Sequence, residues 1–175
     1  MGVIFLSAGT PHAGTASEAP QAIASPILKW QHGGCYSSWC ETGWYSSPAV
    51  ADLDGDGTLE VIGAAYTLFA LNGEDGTIQW SVDPDGGRAW PGVVLTDLEG
   101  DGDLEIISAH GGGHLRVLNH AGGLVWSRQP TTNELRGLSV YDLDGDGSRE
   151  IIVTGAVYEK VNTWVYEHDG TLRPG

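Results

Sequence analysis

Positive charge is scarce in this chain. Eight lysines and arginines stand against 23 aspartates and glutamates, for a formal net charge of −15, and Lys29 and Lys160 are the only lysines. So little basic surface cannot displace phosphate counterions, which excludes nucleic acid as a partner and disfavours anionic membranes for the same reason. Long apolar runs are missing too: no segment approaches the roughly 20 apolar residues of a membrane span. The two cysteines, Cys35 and Cys40, have no second Cys or His pair to complete a four-ligand zinc site. No His-Glu-x-x-His, Gly-x-Ser-x-Gly or phosphate-binding glycine loop occurs, so the expectation is a protein without catalytic residues and not an enzyme. His110-Gly-Gly-Gly-His114 comes nearest to a chelating pair, and it reads as a solvated hairpin.

What the chain has instead is acid placed at regular intervals. "DLDGDGTLE" starts at Asp52, "DLEGDGDLE" at Asp97 and "DLDGDGSRE" at Asp142, a spacing of 45 residues. Four carboxylates in one nine-residue loop repel one another unless a cation lies among them, and a hard ion with about six to eight oxygen ligands, calcium, suits that donor set. The opening Asp-x-Asp-x-Asp-Gly matches half of an EF-hand loop, but the bidentate acid required at position 12 is Gly63, and the flanks are β-type rather than helical. The loop instead joins two strands of a hairpin.

Each unit reads as four short strands. One precedes the loop ("SPAVAD", "GVVLTD", "LSVYD") and one follows it ("EVIGAA", "EIISA", "EIIVTG"). A third is "TLFALN", "HLRVLN" or "NTWVYE", and a fourth ends in Trp, "TIQW" and "LVW". Four strands per roughly 45 residues is the size of a propeller blade. The predicted fold is therefore all-β, with about three blades of four antiparallel strands. The segments are 1–26, signal-like or linker; 27–46, the fourth strand of a preceding blade ("ILKW") plus a cysteine loop; and blades at 47–91, 92–136 and 137–175, the last incomplete. Acids clustered periodically between apolar strands exclude a disordered acidic tail.

From about Pro26 to Leu172 the repeated pattern resembles the FG-GAP and VCBS repeats of secreted bacterial proteins, related to the calcium-bearing β-propeller of integrin alpha subunits. The resemblance implies calcium ligation by side chains at loop positions 1, 3, 5 and 9 and by the backbone carbonyl at position 7. That assigns Asp52, Asp54, Asp56, Thr58 and Glu60 to the first site. Asp97, Glu99, Asp101, Asp103 and Glu105 fall to the second, and Asp142, Asp144, Asp146, Ser148 and Glu150 to the third. The Phe-Gly and Gly-Ala-Pro signatures of the integrin repeats are absent, and position 9 is Glu where the family usually has Asp. Glu99, longer than the Asp of the other loops, is expected to weaken the middle site, so two or three ions are expected. Three would bring −15 to −9.

Several readings stay open from sequence alone. The N-terminus is apolar, then small and polar, and resembles a secretory signal peptide without its positive n-region, with Ala22-Ile23-Ala24 as a cleavage site; a linker is the alternative. Calcium loops favour a secreted or cell-surface protein, where millimolar sites fill. Trp30, Trp80 and Trp126 recur at fourth-strand ends and read as blade packing. Tyr36, Trp39, Trp44 and Tyr45 suit either packing or a ligand surface for sugar rings. Closed propellers need about four to eight blades, so three imply a piece of a longer chain or self-association. The function these features suggest is an extracellular, calcium-stabilised binding or adhesion module with a protein or carbohydrate ligand. The alternatives are a non-catalytic or partial domain of a secreted polysaccharide-degrading enzyme, or a self-assembling extracellular filament protein.

In an oxidising compartment Cys35 and Cys40, with four residues between them, suit a small disulfide loop. Peptide mass mapping of unreduced secreted protein is expected to find them joined; free thiols in that material would refute the pairing.

Overall fold

The computed structural model describes residues 25–31, 46–83, 87–156 and 162–174. The Cys35–Cys40 pair and the aromatic cluster Tyr36, Trp39, Trp44 and Tyr45 lie outside them.

Short apolar runs bounded by Gly and Asp turns form three antiparallel sheets. The first runs β1 (Ala49–Ala51), β2 (Glu60–Ala64), β3 (Leu68–Asn72) and β4 (Ile78–Val82), in that spatial order. The second repeats it with β5 (Val94–Thr96), β6 (Glu105–Ala109), β7 (Leu115–Leu118) and β8 (Leu124–Arg128). The third has β9 (Leu135–Tyr141), β10 (Glu150–Gly155) and β11 (Thr163–Tyr166). At its free edge Leu172 bridges Tyr166, and the Arg173 amide donates to the Val165 carbonyl at 2.8 Å. A fourth strand thus begins where the sequence left little for one. The described residues are all-β, three successive blades of a β-propeller.

The blades stack face to face, and the apolar pair after each acidic loop explains how. Successive strand residues point to opposite faces. Ile106 of β6 packs into the core between the first two sheets, with Leu53, Ile62, Leu68 and Leu118. Its neighbour Ile107 packs into the core between the second and third, with Leu98, Leu115, Leu135, Ile151 and Val153. Burying one such side chain contributes about 1.5–3 kcal/mol. The middle sheet is therefore apolar on both faces, and every residue of β6 is buried.

A second device ties each blade to the next. The Trp30 indole donates to the Gly73 carbonyl at 3.0 Å, Trp80 to His120 at 3.1 Å and Trp126 to His168 at 2.8 Å. Each accepting carbonyl lies in the turn between third and fourth strands of the following blade. The ring covers a glycine of that turn: a Cβ on Gly76 would sit 2.6 Å from Trp30, and one on Gly122 2.9 Å from Trp80. Only glycine fits there, and its φ of 75° or 78° favours glycine as well. These three tryptophans are packing residues, and Trp30 stands where the last strand of a preceding blade would end.

His110 departs from expectation. The reading of residues 110–114 as a solvated hairpin is wrong for it, because His110 is fully buried and only the short 3₁₀ turn Gly111–Gly113 follows it. Its Nδ1 lies 3.2 Å from the Gly87 carbonyl and its Nε2 3.0 Å from the Ser108 hydroxyl. A carbonyl only accepts, so Nδ1 carries the proton and Nε2 accepts from Ser108. This neutral imidazole pins the segment entering the second blade.

Burial pulls the His110 pKa down from 6.5 to about 4, outweighing the opposing Gly87 carbonyl. Between those values the unfolded chain binds the extra proton, so the stability is fully present above about pH 6.5 and is lost as pH falls toward 4. Urea unfolding of His110→Gln should show a loss between pH 7 and pH 5 smaller than wild type by roughly 2 kcal/mol. Equal losses would show that His110 does not titrate this way.

Candidate metal centre

Each acidic loop closes the hairpin between the first two strands of its blade in the same register. Ala51 pairs with Glu60, Thr96 with Glu105 and Tyr141 with Glu150. That register turns the position-9 glutamate inward, and all three are buried. Each then reaches back across the loop. Glu60 Oε2 accepts the Leu53 amide at 2.9 Å, Glu105 Oε2 the Leu98 amide at 2.9 Å and Glu150 Oε2 the Leu143 amide at 2.6 Å.

The aspartates shape the rest of the turn. Oδ2 of the first Asp accepts the amide of the second loop glycine: Gly57 on Asp52 at 2.9 Å, Gly102 on Asp97 at 2.9 Å, Gly147 on Asp142 at 3.1 Å. Those glycines have φ of 89°, 100° and 99°, the left-handed turn the wrap requires. Position 5 accepts the amide of position 7, Asp56 from Thr58, Asp101 from Asp103 and Asp146 from Ser148. One oxygen of each position-5 carboxylate thus builds the loop; of the first aspartates, Asp97 and Asp142 give both oxygens to loop amides, whereas Asp52 gives only Oδ2 and keeps Oδ1 without a partner.

The middle loop differs at position 3. Asp54 and Asp144 each accept the amide two residues on, at 3.2 and 3.3 Å. Glu99 makes no such bond among the described residues, and the Asp101 amide goes to Asp97 Oδ1 at 3.1 Å, which also takes the Gly100 amide at 2.7 Å. Burial raises the Asp97 pKa, but these amides, Gly102 and the Arg149 charge overcome it, and the net shift is downward. Arg149, from the third loop, donates to the Asp97 carbonyl and bridges the two loops. Burial pushes Glu105 up, offset only in part by the Leu98 amide and reinforced by Glu99, Asp101 and Asp97.

Two acidic triads can hold a metal ion. Among the described residues, Asp52, Asp54 and Glu60 bring one oxygen each within 4.8 Å of one another, and so do Asp142, Asp144 and Glu150. Each triad contains a buried oxygen with no hydrogen-bond partner, Asp52 Oδ1 in one and Glu150 Oε1 in the other. Such an oxygen costs about 1–3 kcal/mol if left bare, and a cation in the triad would satisfy it. The residues present fit a hard divalent ion. Asp56, Asp101 and Asp146 fall outside the triads, as do the position-7 residues Thr58, Asp103 and Ser148, whose carbonyls rather than side chains carry the expectation.

The fourth strand supplies residues that motif reading did not single out. Gln79 Nε2 donates to Glu60 Oε1 at 3.1 Å. At the corresponding place in the third blade, Arg173 donates to Asp144, lies 3.7 Å from Glu150 Oε2 and bonds Glu167 at 2.8 Å. The Asp144 bond, then Glu167 and Glu150, hold the guanidinium above its usual pKa. The signal was present in the repeat, since Gln79, Val125 and Arg173 each follow the first residue of the fourth strand. Their types differ, however, and a search for recurring residues passes over them.

No family model matches the chain, and no curated protein matches it. Among solved structures it is similar to the biofilm matrix protein Bap1 of V. cholerae, at 25% identity over 72% of this chain, with a TM-score of 0.39. It is also similar to BamB from Moraxella catarrhalis, at 17% identity over 73% of this chain, with a TM-score of 0.46. The chain spans 27% of the first structure's length and 36% of the second's.

Glu60→Ala strands the Leu53 amide in the interior, and the expected loss of stability is about 1–3 kcal/mol. Glu60→Gln keeps an accepting oxygen and should lose less. Urea unfolding in chelator, where no metal contributes, checks the order; a Gln variant as unstable as Ala would contradict it.

Proposed function

We propose that this chain is part of a calcium-stabilised β-propeller of the FG-GAP and VCBS type, acting outside the cell as a binding or adhesion module. The observation that carries the reading is the pair of carboxylate triads, each with a buried oxygen lacking a partner. All-oxygen donors in a turn built on glycine suit calcium better than zinc, which takes Cys or His. Asp52, Asp54 and Glu60 would hold one ion, and Asp142, Asp144 and Glu150 the other. Bound calcium supplies fixed positive charge and oxygen ligation. The chain's own part is to hold the hairpins that brace one end of the blades, so the ion is structural rather than catalytic. The function then lies in surfaces that a rigid blade array presents to a protein or carbohydrate ligand, and no catalytic residue is assigned.

Calcium at about ten times its dissociation constant adds about 1.4 kcal/mol per site, so two sites add roughly 3 kcal/mol. Differential scanning calorimetry should show a higher Tm in calcium than in chelator, with the gap reduced in Asp54→Ala. Identical melts in calcium and chelator would sink the reading.

A further inference from the structure

We propose that the residue facing the buried glutamate from the fourth strand sets the metal affinity of its blade, and that Arg173 acts in the third blade as a tethered cation with which calcium must compete. This rests on the calcium reading above.

The three positions are equivalent by hydrogen bonding. The turns before the fourth strands close with Asn72 donating to the Thr77 carbonyl at 2.8 Å, Asn119 to Gly123 at 2.8 Å and Glu167 to Thr171 at 2.9 Å. Two residues beyond each closing residue stand Gln79, Val125 and Arg173. The repeat therefore places a neutral donor, an apolar side chain and a cation at one structural position.

The consequences for an ion differ. In the first loop, Gln79 engages only Glu60 Oε1, while Asp52 Oδ1 remains buried without a partner. The donor facing Glu60 there is a neutral amide, so an incoming ion has no guanidinium to displace from it. In the third loop Asp144 gives Oδ1 to the Asp146 amide and its other oxygen to Arg173. A divalent ion taking Asp144 must displace or share that guanidinium, and like charges at such range repel. Fully buried Glu150 still has Oε1 without a partner, so Arg173 does not saturate the site. A displaced guanidinium also has a resting place, because its Nε already bonds Glu167 at 2.8 Å. The first loop is thus the tight site, and the third is held in shape by Arg173 until calcium rises.

Calorimetric titration of the chelator-stripped full chain tests this. Wild type should show a tight and a weak calcium step, with Asp144→Asn removing the weak one. Arg173→Gln, which places the first blade's residue in the third, should tighten the weak step about tenfold or more. Arg173→Lys should leave it weak, and Gln79→Arg should weaken the tight step by a similar factor. In chelator Arg173→Gln should melt below wild type, yet gain more on adding calcium, a crossing that mere loss of a structural contact would not produce. An unchanged weak step in Arg173→Gln, with the tight step intact, overturns this inference and leaves the calcium reading standing. Absence of calcium binding in every variant overturns both. Should Arg173→Gln fail to fold, Gln79→Arg decides: a weakened tight step supports the inference, and an unchanged one overturns it.

Discussion

A glutamate buried beneath each acidic loop, with one oxygen on the amide seven residues earlier in the chain, is the contact on which the rest of the site depends. Burying a carboxylate is costly unless its oxygens are paired. The bond to the position-2 amide recovers part of that cost and fixes the loop's depth, because it ties the strand after the turn to the residue just inside it. The remaining oxygen is then the variable. Gln79 takes it up in the first blade. In the third it has no partner, with Arg173 lying beside the other oxygen.

The loops are also coupled to the core. The leucine whose amide meets the glutamate is buried in two cases, Leu53 in the core between the first two blades and Leu98 in the core between the second and third. Loop shape and blade packing are thus set by adjacent atoms of the same residue. Arg149 adds a direct tie by reaching from the third loop to the Asp97 carbonyl of the middle one. Disturbing one loop therefore loads its neighbour, which is the physical content of a repeat whose units touch only the next.

Charge is divided between the two ends of the blades. The carboxylates gather before the second strand of each blade. At the opposite end of the first, beyond β2, Arg88 bonds the Tyr66 hydroxyl at 2.8 Å and lies over the rings of Tyr66 and Trp90, with Arg136 also over Trp90. That end is held by cation–π and hydrogen-bonded contacts. The acidic end has the surplus negative charge, so a divalent cation would act there.

The repeat itself made the blades legible: period-two apolar runs between Gly and Asp turns are local signals, and each of the eleven strands of the described residues overlaps a segment such patterns mark, although β4, β8 and β9 run past its bounds. The recurring Trp and the carboxylate spacing were legible for the same reason, as was the odd length of Glu99. Three things required the fold. Which of Ile106 and Ile107 faces which blade depends on the stacking order, since both are apolar and adjacent. His110 looked solvated because three glycines follow it in sequence, whereas it is buried, with its ring nitrogens on the Gly87 carbonyl, 23 residues earlier, and the Ser108 hydroxyl. Gln79, Val125 and Arg173 share a position without sharing a chemistry, so no pattern of residue types unites them. The sequence by itself determined the strands, the turns and the acidic loops, because each is decided by residues a few positions apart. Only the tertiary structure decided what meets the buried Glu60 and Glu150, because the sheet brings residues 19 to 23 positions away in the chain within reach across the strand that lies between them.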